Sequence, residues 1–387
     1  MGAIQSKIQI CVKIDIKYLL VAYLLIILLP NTLVFAHSVD NYPNLDDHNK
    51  QITSNLGAGV NLSALEHTWK PTEELLKTDV ISKIQSIKKD GFKTVRLPVA
   101  FDMFLQPNSS NFYTELVDKL GSIYNVCNSL HINLIITYHY GKVYYGSDNR
   151  FSERDRIMWM WKQLQNKFRG MGYDNLYFEL YNEPTEERNA WKEDINYIIK
   201  GLRWEDKNRF YIVGGTNYNN ADELLDLGKL DDDKILYTIH FYEPYIFTHQ
   251  GAEWTKEKTY LTGIPYPYNK KKMPSLGKDA IGSTIEQDYT KYPAEGTKEY
   301  LLVRLRRIVE ECKKRNMPLI CTEAGVINTA EYKYRVQYLE DITNIMNELN
   351  IATMLWDYDQ KFGIIDDGKL IKPLKKWIKI ANQTQYN

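Results

Sequence analysis

Cysteine is scarce here. The 387 residues include four, too few and too irregularly spaced for a disulfide scaffold or a metal-ligating Cys set. Net charge is missing as well: 49 basic residues balance 49 acidic ones, which leaves no electrostatic reason to expect nucleic acid or an anionic membrane surface as partner. No Pro/Ser/Gly-rich linker divides the chain and no internal repeat stands out, so a string of domains or a solenoid is not indicated. Apolar runs long enough to span a membrane are absent too. The longest candidate, residues 18–29, is short for a span and follows Lys7, Lys13 and Lys17. Val34-Phe35-Ala36 then offers small residues where a signal peptidase reads. Residues 1–36 are expected to be a signal peptide, with an uncleaved anchor as the alternative, so that residues 37–387 form the single domain of a secreted or periplasmic protein with no stable membrane partner. That domain keeps Cys127, Cys312 and Cys321, an odd number.

Aromatic residues, by contrast, are plentiful: 29 Tyr and 8 Trp. Such rings supply flat apolar faces with polar rims, which suits sugars as well as a large core. The length fits one barrel of alternating strands and helices. Apolar runs predict strands over residues 57–62, 93–98, 133–139, 175–183, 209–215, 234–240, 318–323 and 351–356. Helical spacing predicts helices over residues 72–89, 113–130, 153–168, 191–202, 301–315, 332–349 and 371–380. Residues 37–52 read as a short leader. Residues 247–298, rich in Tyr, Pro and Gly, read as an irregular loop of the length that binding loops have. The expectation is an α/β fold: a single (β/α)8 TIM barrel with a long loop insertion after strand 6.

One stretch organises the rest: Asn175-Leu-Tyr-Phe-Glu-Leu-Tyr-Asn182-Glu183-Pro184. It begins as a buried strand and stops on an Asn-Glu pair, with Pro184 preventing its continuation. In such barrels the chemistry sits at the carboxyl ends of the strands. Reading off those ends collects Arg96, His139, Asn182 with Glu183, His240 with Tyr242, Glu323 and Trp356. Each alone has a structural explanation; six strand ends carrying such residues together do not.

Two carboxyl groups facing each other across a sugar ring suit glycosidic cleavage through an oxocarbenium-like transition state. One must be protonated to donate to the leaving oxygen and the other ionised, so their surroundings must separate their pKa values. Arg96 near Glu323 favours its charged form, and Tyr242 can donate to the same carboxylate. His240 beside Glu183 can tune the acid. Asn182 suits a hydrogen bond to the sugar 2-OH, and Trp356 a floor under the ring.

These motifs resemble glycoside hydrolase family 5, the cellulase-type family of clan A: Val95-Arg96-Leu-Pro98, Tyr138-His139, Tyr181-Asn182-Glu183-Pro184, His240-Phe241-Tyr242, Thr322-Glu323-Ala-Gly325 and Leu355-Trp356. The resemblance runs over essentially the whole chain expected after the signal peptide, from Gly59 to Trp356. It implies that Glu183 is the acid/base and Glu323 the nucleophile of a retaining mechanism, with Arg96, His139, Asn182, His240, Tyr242 and Trp356 in substrate-binding and supporting positions. Metal is not implied, since no His/Asp/Glu cluster has ligand spacing and the mechanism needs none, and no cofactor is expected. The expected function is endo-acting cleavage of β-1,4-glucan; a β-mannanase, another β-glucan hydrolase, or a non-catalytic glycan-binding barrel are the alternatives. The partner is a β-linked polysaccharide or oligosaccharide. Glu66, Asn217, Tyr245, Trp254 and Tyr266 are candidate subsite residues.

Overall fold

A computed structural model describes residues 45–140, 149–255 and 261–383. Eight parallel strands close into a barrel in chain order: β1 (Ala58–Asn61), β2 (Thr94–Val99), β3 (Asn133–Tyr138), β4 (Leu176–Glu179), β5 (Tyr211–Gly214), β6 (Ile235–Phe241), β7 (Leu319–Ala324) and β8 (Ala352–Leu355). Closure is made by β1, which pairs with β2 (Asn61 opposite Arg96) and with β8 (Val60 opposite Leu355). The (β/α)8 TIM barrel expected from the alternation is the fold observed.

Alternation along each strand divides the core in two. Outward residues such as Val95, Leu97, Leu134, Ile136, Phe178, Val213, Tyr237 and Ile239 pack against the helices. Inward ones, Ile135, Tyr177, Ile212, Leu236, Ile320, Ala352 and Met354, fill the barrel's lower interior. One step higher on the same inward parity stand Arg96, Thr137, Glu179, Thr238 and Thr322, all buried. The polar layer lies on an apolar floor.

Helix α1 (Leu45–Leu56) lies at the amino end of the strands, where a leader was expected. Leu56 joins the interior cluster. The Thr94 hydroxyl donates to the Leu56 carbonyl at 2.5 Å, and Asn133 donates to that of Asn55 at 2.7 Å. The helix expected over residues 72–89 is two, α2 (Thr72–Lys77) and α3 (Val80–Lys89). Asp79 breaks it by accepting from the Ser82 amide at 2.9 Å, an N-cap that periodicity does not reveal. Helices α4 (Thr114–Ser129), α5 (Arg150–Lys167) and α6 (Arg188–Arg203) follow their strands. The short α7 (Ala221–Leu227), capped by Asn220, was not expected.

The connection after β6 is long, as expected, but not wholly irregular. It carries α8 (Thr284–Glu295) before α9 (Lys298–Lys314); α10 (Tyr332–Glu348) and α11 (Lys372–Gln383) complete the shell. Among the described residues no helix is long and apolar enough to cross a membrane. Residues 1–36, read above as a signal peptide, lie outside the described residues.

Candidate active site

At the carboxyl end of the barrel, Arg96 sits fully buried with each of its five N–H donors engaged. Nε and Nη2 grip Glu179 in a two-pronged pair at 2.6 and 2.8 Å, Nη1 reaches Glu323 and Asn61, each at 2.7 Å, and Nη2 also reaches Asn182 at 2.8 Å. One guanidinium thus ties β1, β2, β4 and β7 together. Two buried carboxylates flank it, and Coulomb attraction to both keeps its charge.

Glu323 owes its direction to a bulge. The β6–β7 register slips between Ile239 and His240, and the β7–β8 register slips after Cys321. Ile320 and Thr322 point into the barrel, so simple alternation would turn Glu323 outward; the bulge re-aims it to the mouth. There the Tyr242 hydroxyl donates to Glu323 Oε2 at 2.8 Å, opposite the Arg96 bond on Oε1. Burial pushes this carboxyl up, while His240, Arg96 and the Tyr242 bond oppose the shift.

Glu183 is turned by its backbone. The assigned β4 ends at Glu179, yet the Leu180 amide still donates to Ile212 and that of Asn182 to Tyr138, at 3.1 and 2.9 Å. Glu183 then takes φ 51°, a left-handed conformation costing about 1–2 kcal/mol outside glycine. Among the described residues its carboxyl has one close hydrogen-bonding neighbour, His240 Nδ1 at 2.8 Å. Burial, reinforced by the Glu179 charge against the opposing Arg96, pushes it up to about 7. One oxygen of Glu183 and one of Glu323 lie within 4.8 Å of each other.

His240 is held neutral, down at about 4, mainly by burial. Its Nε2 faces Asn219 Nδ2 at 3.0 Å. His139 is also buried and its pKa falls well below the usual value for the same reason. Its ring lies parallel to Trp356, centroids 6.0 Å apart, and among the described residues its Nε2 has no hydrogen-bond partner. A buried ring nitrogen left open beside an aromatic floor is suited to a sugar hydroxyl, which can donate or accept. Glu183, His240 and Glu323 are the described trio close enough to share an ion; Arg96 already balances Glu323, which disfavours a cation there.

The remaining expected residues divide. Glu66 is buried, bound to Ser63 and the Ala64 amide, and pushed up to about 7 chiefly by burial. Tyr245 is half-exposed, stacked on His249 at 4.0 Å. Asn217 lines a cleft of about 490 Å³ with Glu186 and Tyr218. Trp254 is exposed, its ring carrying Lys361 at 5.2 Å. Tyr266 is a correction. It is 1 % exposed, packed between Phe247 and Tyr338 with its hydroxyl on Asp341, and belongs to the loop's core rather than to a subsite.

Sequence reasoning missed Glu179, Asn61 and Asn219. Glu179 had a signal, a charge in the middle of an apolar strand. Asn61 had the same, more weakly. Asn219 had none.

A closed β/α barrel with two carboxyls this near each other at the carboxyl ends of β4 and β7 is the architecture of a glycoside hydrolase. The chain belongs to the family Cellulase (glycosyl hydrolase family 5), whose model matches residues 53–362. It is 28% identical over 334 residues to Endoglucanase C of Acetivibrio thermocellus, covering 82% of this chain and 95% of that one. Endoglucanase 3 of Fibrobacter succinogenes is also 28% identical, over 78% of this chain and 49% of its own length. In solved structures, the barrel is similar to a hyperthermophilic endo-beta-1,4-glucanase in complex with substrate, with a TM-score of 0.70 and 22% identity over 85% of this chain and 98% of that one.

Proposed function

We propose that the protein is a retaining endo-β-1,4-glucanase in which Glu183 is the acid/base and Glu323 the nucleophile. The observation carrying the mechanism is the approach of the two carboxyls to within 4.8 Å. Retaining enzymes space them at about 5 Å, whereas inverting ones leave roughly 6.5–9.5 Å for a water. Their surroundings assign the roles. Glu323 takes charged and hydroxyl donors on both oxygens, which suits an anion poised to attack C1. Glu183, with His240 as its one close hydrogen-bonding neighbour among the described residues and its pKa near 7, keeps a proton to give.

In the first half-reaction Glu323 forms a bond to C1 while Glu183 passes its proton to the departing oxygen. In the second, Glu183 takes a proton from water, whose oxygen displaces Glu323 from C1. Asn182, fixed by Arg96, faces the sugar, and Trp356 with His139 walls the ring being cleaved. The endoglucanase names of the family relatives support β-1,4-glucan as substrate. For residues 1–36 the basic-then-apolar pattern supports export by a signal peptide.

The test is reducing-sugar release by residues 37–387 on carboxymethyl-cellulose, mixed-linkage glucan and mannan, beside Glu183→Gln and Glu323→Gln. Release on a glucan that both variants abolish supports the whole reading. Release on mannan alone keeps the mechanism and replaces the substrate. Binding without release makes the barrel a glycan-binding protein.

A further inference from the structure

Three residues in a row without glycine, Asn217, Tyr218 and Asn219, hold left-handed backbone at φ 52°, 65° and 53°. Such residues normally occur singly, and strain of this kind persists where surrounding structure imposes it for a purpose. The turn follows β5 and delivers Asn219 inward: its side chain is fully buried and Nδ2 lies 3.0 Å from His240 Nε2. Space for it is reserved. A Cβ on Gly214 would stand 2.1 Å from Asn219 Oδ1, so the strand must end in glycine for the amide to fit. On the far side of the ring, Nδ1 lies 2.8 Å from Glu183 Oε1. The charged groups around the ring are Glu183, Glu323, Arg96 and Glu179.

We propose that Asn219 is a positioning residue: its amide donates to His240 Nε2, fixing the Nδ1–H tautomer, so that His240 donates to Glu183 Oε1 and leaves the acid's proton on Oε2. This rests on the reading of Glu183 as the acid. An amide N–H facing Nε2 requires a lone pair there, and a neutral imidazole then carries its hydrogen on Nδ1. That hydrogen suits Glu183 in both states. Oε1 accepts it while Oε2 is protonated, and still accepts it once Oε2 has given its proton to the glycosidic oxygen, whose bond to C1 breaks with the electron pair staying on oxygen. The opposite tautomer would set the Nδ1 lone pair against Oε1. Glu183 would then be drawn to protonate Oε1, the oxygen held against His240, rather than Oε2. His240 itself transfers no proton.

The first test needs no variant. Long-range proton–nitrogen NMR of His240 in the full chain reads the tautomer directly, and hydrogen on Nδ1 is expected. Hydrogen on Nε2, with the Asn219 amide turned to present Oδ1, overturns the proposal. The second test uses Asn219→Asp, which keeps the size but accepts from Nε2–H and so reverses the tautomer. On cellotetraose, whose sugar leaving group needs protonation, kcat/KM should fall about tenfold or more. On dinitrophenyl β-cellobioside, whose leaving group needs none, it should change by less than about twofold. Equal losses on both substrates would mean Asn219 is merely structural and overturn the inference. Glu183→Gln is the control: if it too lacks this leaving-group dependence, the acid assignment has failed rather than the role of Asn219.

Discussion

Arg96 concentrates the electrostatics of the mouth in one side chain. Its removal strands Glu179 and Glu323, both buried, with no other Arg or Lys bonded to either among the described residues. Breaking a buried pair by deleting one partner costs about 3–5 kcal/mol, because the orphaned charge remains desolvated. Arg96→Met should therefore lower stability in a denaturant melt by an amount of that order as well as abolish activity. A variant as stable as the parent would mean that these buried ion pairs contribute nothing net to stability. The carboxyl pair also sets a pH profile. Glu183 must be protonated in the free enzyme, and its pKa of about 7 places the alkaline limb of kcat/KM near pH 7. The acid limb belongs to Glu323, raised above the ordinary carboxylate value of 4.5. Two such groups titrate as a coupled pair, so the limbs describe the dyad. A profile flat from neutral pH to pH 9 would remove Glu183 from the acid role.

Strands and helices of the barrel were legible because their apolar periodicity is strong. Their ends were legible because Asn182-Glu183-Pro184 and Thr322-Glu323 interrupt apolar runs with charge. What was hidden is geometry that no residue type announces. The bulge on β7 that turns Glu323 inward and the left-handed turn behind Asn219 arise from tertiary packing. The Asp79 cap that splits α2 from α3 also competes with a periodic pattern that would otherwise continue. The loop after β6 shows the same limit: Tyr266 and Trp254 read alike as aromatic residues near Pro and Gly, yet one is core and the other exposed. Substitution separates them. Tyr266→Ala should destabilise by about 3 kcal/mol, as large-to-small changes in a core do, leaving KM unchanged in a thermal melt and assay run together. Trp254→Ala should leave the melt within about 0.5 kcal/mol and raise KM only on long oligosaccharides. The reverse pattern would put Tyr266 back among the subsites.

The molecule as a whole gathers carboxyls at one end of a barrel whose other end is apolar. Burial is the leading cause that raises Glu66 and Glu183, each from 4.5 to about 7, and Asp357 from 3.8 to about 7. A carboxyl whose folded pKa exceeds its unfolded one favours the folded state when neutral. Its contribution is complete below the unfolded value and disappears as pH rises through the folded value. Stability should therefore decline from about pH 4 to about pH 7, while Glu323, whose carboxyl burial pushes up, must lose its proton to attack. Function and stability oppose each other here. Glu183→Gln removes one titrating group while keeping its shape and its hydrogen bond from His240. That variant should be inactive on carboxymethyl-cellulose yet melt about 2 °C or more above the parent at pH 8. At pH 4, where Glu183 is neutral in both states, the two should melt together. A Glu183→Gln protein no more stable than the parent at pH 8 would mean the ionised carboxylate is well solvated in the cleft, and the raised pKa that makes Glu183 an acid would lose its physical cause.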